Sequence, residues 1–64
     1  MNDLFPVSLE EQIAEVEREI HLREHVYPRF VAQNKMRQAK ADKCMAAMRA
    51  VLTTLQSLKE KTSA

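Results

Sequence analysis

The sequence predicts an all-α fold, a two-helix antiparallel hairpin that dimerises into a four-helix bundle. Three observations lead there. Apolar residues recur in steps of three and four over two long blocks, with no useful run of strand-like alternation. The chain has no Gly and only two Pro, and good helix formers (Ala, Leu, Met, Glu, Lys, Arg, Gln) dominate it. The apolar arc of the second block is also wider than one neighbouring helix can cover.

Residues 1–7 read as an N-terminal arm, and the hairpin occupies 8–60. Ser8 opens helix 1, expected over 8–33. Ser8-Leu9-Glu10-Glu11 has the form of a capping box, in which the Ser hydroxyl accepts an orphan N–H and Glu11 reaches back. Glu10, Glu11 and Glu15 suit the positive end of the helix dipole. Leu9, Ile13, Val16, Ile20, Tyr27 and Phe30 form the inward stripe, with one gap at Arg23. Pro28 removes an N–H and presses on the carbonyl of Glu24, yet the apolar register continues past it. The expectation is therefore one helix kinked at Pro28 rather than two helices.

Asn34 tolerates the left-handed backbone that ends many helices, so 34–36 is the expected turn. Helix 2 is expected over 37–59. Ala41, Met45, Met48, Leu52 and Leu55 form its seam, and Cys44, Val51 and Leu58 widen the arc to roughly 140° at 100° per residue. Residues 61–64 read as a frayed tail. Antiparallel folding should bring Leu9 and Ile13 near Leu55 and Leu52, Ile20 near Met45 and Met48, and Tyr27 near Ala41. A rod of this shape has little core for its surface, and pairing two hairpins is the usual remedy. A homodimer is therefore expected.

Charge is unevenly distributed. Residues 1–33 hold seven acids and three bases, whereas 34–64 hold two acids and seven bases. Attraction between two oppositely charged helices explains this more simply than a nucleic-acid face, because the acidic half would repel phosphate. The longest uncharged stretch, Ala50 to Leu58, is too short to span a bilayer, so no membrane partner is expected. The N-terminus carries no export pattern, and a lone cysteine allows no internal disulfide, so a cytoplasmic location is expected.

Catalysis finds little support. His21-Leu22-Arg23-Glu24-His25 matches an inverted zinc-protease motif, with both imidazoles on one helical face. A catalytic zinc needs a third ligand and a water-excluding cleft, which a hairpin does not supply. Two solvated histidines are the simpler reading. Cys44 lies on the apolar arc, and helix 2 has no His to activate it, so a packed thiol is expected. The methionines read as core filling. Without Gly no phosphate loop can form. The chain is read as a non-enzyme with no cofactor, no metal and no catalytic residue.

Two surfaces remain as candidates for binding. Leu22 and Val26 lie on helix 1 more than 100° from the Leu9–Ile20 seam and, with Phe30, form a second small apolar stripe. With Phe5 of the arm they are the candidate partner-binding residues, unless they close the homodimer instead. Lys35, Arg37, Lys40 and Lys43, with Arg49 beyond them, cluster around the turn. They are the alternative, a nucleic-acid face, although no aromatic side chain stands there for bases to stack on.

The segment Arg23-Glu24-His25-Val26-Tyr27-Pro28-Arg29-Phe30-Val31, the Lys35-Met36 turn, the Ala41-Asp42 pair and Met48-Arg49-Ala50-Val51 resemble a group of small helical proteins of tailed phages and prophages of proteobacteria. The resemblance covers about residues 9–55. The chain departs from the group at Asn34, where many members have Gly, and at Arg37, where they tend to have a Ser or Thr cap. A looser similarity links it to phage quorum-sensing anti-activator proteins. The resemblance implies a helical interaction module that binds and modulates a host protein, such as a transcriptional regulator. It assigns no functional residue. A DNA-binding or nucleoprotein accessory role is the alternative.

Overall fold

The computed structural model describes residues 6–62, and these form a hairpin of two helices, α1 (Leu9–Ala32) and α2 (Gln38–Thr62). The arm residues 1–5, including Phe5, lie outside the described residues. Ser8 caps α1 as its sequence implies. Its Oγ accepts from the Glu11 N–H at 3.1 Å, and its own N–H donates to Glu11 Oε1 at 3.1 Å, which completes the capping box. Gln12 adds a further tie, donating from Nε2 to the Val7 carbonyl at 2.9 Å.

The α1 helix runs unbroken through Pro28, one helix rather than two. It ends in a Schellman turn. Asn34 adopts φ 61°, the Lys35 N–H donates to the Phe30 carbonyl at 2.8 Å, and the Asn34 N–H donates to the Val31 carbonyl at 3.0 Å. Arg37 stands just before α2, which starts one residue later than expected, and its carbonyl accepts from the Ala41 N–H at 3.0 Å. Arg37 brings no side-chain oxygen to cap this end. Gln38 and Asp42 instead bond to each other across one turn at 2.9 Å. The helix continues to Thr62, three residues past the expected end at 59, and overlaps the expected tail. The Thr62 hydroxyl bonds back to the Leu58 and Lys59 carbonyls, and Lys59 and Lys61 suit the negative terminus.

The two helices lie antiparallel along a body of 47 × 17 × 15 Å. Its radius of gyration is 14.8 Å, against about 11 Å for a compact chain of this length. Ile20 and Ala41 are the only buried hydrophobic residues among those described. Leu9, Ile13, Val16, Tyr27, Met45, Met48, Leu52 and Leu55 are half-buried along the seam. Tyr27 and Ala41 line one groove together, in the register expected at the turn end. Toward the open end Ile13 shares a groove with Gln56, Lys59 and Glu60, about one turn further along α2 than its expected neighbour Leu52.

Candidate functional site

Charge and hydrophobicity divide the hairpin into two broad sides. The Arg49 guanidinium donates to Glu24 Oε2 at 3.1 Å across the helices, and the Lys59 ammonium lies 4.0 Å from Glu10. The Arg49–Glu24 pair marks the charged side, where an open groove of about 430 Å³ is lined by polar and apolar residues alike, among them Tyr27, Pro28, Ala41, Asp42 and Met45. Successive helical residues turn by 100°. Leu22, Val26 and Phe30 therefore lie about 120–160° around α1 from Glu24, and Cys44, Val51 and Leu58 about 140–180° around α2 from Arg49. These six residues define an apolar side. Leu22 is 53 % exposed, Val51 43 %, Leu58 39 % and Phe30 37 %, whereas Val26 and Cys44 are half-buried. The apolar side is thus largely open to water, and among the described residues the core holds only Ile20 and Ala41.

Arg23 fills the gap in the α1 stripe by bridging the seam. Its Nε donates to Glu19 at 2.8 Å, its Nη1 reaches the Cys44 carbonyl at 3.4 Å, and its guanidinium carbon lies 5.7 Å from the Tyr27 ring centroid. The hydrogen bond to Glu19 raises the Arg23 pKa further above its ordinary value, since it favours the charged form. Sequence periodicity identified Arg23 as an interruption. The one signal of its role was the Tyr four residues on, placed to receive a cation on its face.

The basic turn end remains solvated. Lys35, Arg37, Lys40 and Lys43 are all exposed, and among the described residues none lies within 4.0 Å of a carboxylate. The expected side-by-side attraction of the helices is therefore carried by Arg49 and Lys59, not by this cluster. Other ion pairs stay within α1, where Arg18 meets Glu15 and Arg23 meets Glu19. His21 and His25 are exposed, and His21 Nδ1 lies 3.9 Å from Glu24. Among the described residues no three His, Cys, Asp or Glu side chains converge to hold a metal ion. Likewise no helix there is long and apolar enough to cross a membrane. No protein-family model, curated protein or solved structure matches the chain.

Proposed function

We propose that this chain is a non-catalytic protein–protein interaction module of phage or prophage type, which self-associates and docks a host protein such as a transcriptional regulator. One observation carries the reading. Leu22 and Phe30 stay open to water, 53 % and 37 % exposed, on one flank of α1, and Val26 between them is half-buried. Leu22 is the most exposed of the three, and at 100° per residue it lies about 160° around α1 from the buried Ile20. Apolar side chains spaced one turn apart on a helix are what a partner groove grips. The phage-type resemblance of residues 9–55 supplies the class of partner.

The test is capture of host protein by the immobilised full chain, followed by binding of the identified, purified partner. Leu22→Ser with Val26→Ser should weaken that binding at least tenfold and leave helicity and self-association intact. Loss of helicity or of self-association in this variant would assign the two residues to the chain's own assembly and defeat the docking role. A second reading, nucleic-acid binding, rests on the exposed, unpaired Lys35, Arg37, Lys40 and Lys43. Its mark is a gel shift with nonspecific duplex that weakens steeply with salt and disappears when these four are neutralised.

A further inference from the structure

We infer that the row Cys44, Val51 and Leu58 of α2 is covered by the same row of a second copy, run in the opposite direction, so that Val51 meets Val51 of the second copy on the two-fold axis. This rests on the self-association proposed above and assigns it a surface and a register. The row is uninterrupted and apolar, whereas the matching flank of α1 carries Gln12, Glu15 and Glu19 in its open half. Self-pairing through apolar contact therefore joins α2 to α2.

Three features select the antiparallel direction. The first is charge. The turn half, residues 21–48, holds six bases and two acids, while 6–20 and 49–62 together hold four bases and six acids. Parallel copies would crowd both basic ends together, but opposed copies set each basic end beside an acidic one. The second is volume. Antiparallel pairing about Val51 sets Cys44 against Leu58 and Ala47 against Leu55, small against large at each level. Parallel pairing would oppose Leu with Leu at one end and leave Cys and Ala facing each other at the other. The third is position. Val51 lies one residue from the midpoint of Gln38–Thr62, so the two helices overlap along nearly their whole length.

The native thiol makes the register testable. In the proposed dimer the two Cys44 residues are 14 positions apart along the pair, about 21 Å at 1.5 Å per residue. This is beyond disulfide reach. The full-length native chain should therefore stay uncrosslinked under mild oxidation. Leu58→Cys should form a covalent dimer through Cys44, and so should Cys44→Ala combined with Val51→Cys. The introduced cysteines fall on exposed positions, Cys44 is half-buried, and circular dichroism checks that the helices persist. The dimer's Kd should rise several-fold on going from roughly 0.05 to 0.5 M salt, as opposite charges are screened. Crosslinking of the native chain through Cys44, or a Kd that falls with salt, would overturn the antiparallel register. A dimer by sedimentation in which neither variant crosslinks would place the interface elsewhere and leave self-association standing. A folded monomer by sedimentation would remove self-association itself.

Discussion

Asn34 offers the sharpest test of how the hairpin is held. Its backbone sits at φ 61°, where a Cβ crowds the following carbonyl, and two turn hydrogen bonds of 3.0 and 2.8 Å depend on that conformation. Left-handed backbone costs most residues about 1–2 kcal/mol, less for Asn, whose short side chain bonds locally. Replacing Asn34 by Gly removes the remaining crowding, a gain of about 1 kcal/mol. The greater freedom of Gly in the unfolded chain takes part of this back. A net stabilisation of about 0.5 kcal/mol is expected, or roughly 2–4 °C in Tm for a domain of this size. Asn34→Ala should lose about 1 kcal/mol instead. Gln33→Gly is the control. Its φ of −91° gives Gly no advantage, so that variant should be less stable than the native chain. Thermal melts at one fixed protein concentration decide the matter, since association would otherwise shift Tm. If Asn34→Gly melts no higher than the native chain, or if Ala and Gly behave alike, the left-handed residue does not limit the turn.

Pro28→Ala should restore the missing hydrogen bond to the Glu24 carbonyl, raising helicity and adding up to about 3 kcal/mol by chemical denaturation. Arg23→Ala should cost about 1–2 kcal/mol, because it removes the Glu19 bond, the Cys44 carbonyl bond and the Tyr27 contact together. The exposed Glu24–Arg49 pair should contribute less than about 1 kcal/mol in a double-mutant cycle, and its coupling should fade in high salt. Ile20→Ala, at the one large side chain buried among the described residues, should cost about 2–4 kcal/mol in the same denaturation assay.

The elements were readable because their signals are local. Ser8 and Glu11 sit three apart, the apolar steps span a few turns, and Asn34 carries its own backbone preference. Helix α2 runs three residues past the end its sequence suggests, and Thr62 bonds backward to Leu58 and Lys59, a choice that threonine alone does not announce. Register at the open end was less readable. Apolar spacing favours Ile13 against Leu52, but the Lys59–Glu10 and Arg49–Glu24 pairs favour the longer offset, and periodicity weighs no charges. Helix geometry alone set Leu22 apart from the seam, whereas Phe30, counted also in the inward stripe, lies exposed, and Val26 is half-buried. The role of Arg23 was not readable, because an arginine in an apolar stripe signals an interruption, and its partners on α2 lie 21 residues away.

The hairpin's geometry also orders its folding in time. Pairs across the seam enclose ever longer loops, from Tyr27 and Ala41 beside the turn to Glu10 and Lys59 at the open end. Closing a loop costs more entropy as it lengthens, though slowly, so the contacts nearest the turn form soonest. The Schellman turn thus acts as the start of a zipper, and each helical turn laid down brings the next pair within reach. Such low contact order favours folding in microseconds to milliseconds. The same logic runs backward. The amides around Leu9 and Leu58 open first and exchange fastest, while those flanking Ile20 and Ala41 hold their protons longest.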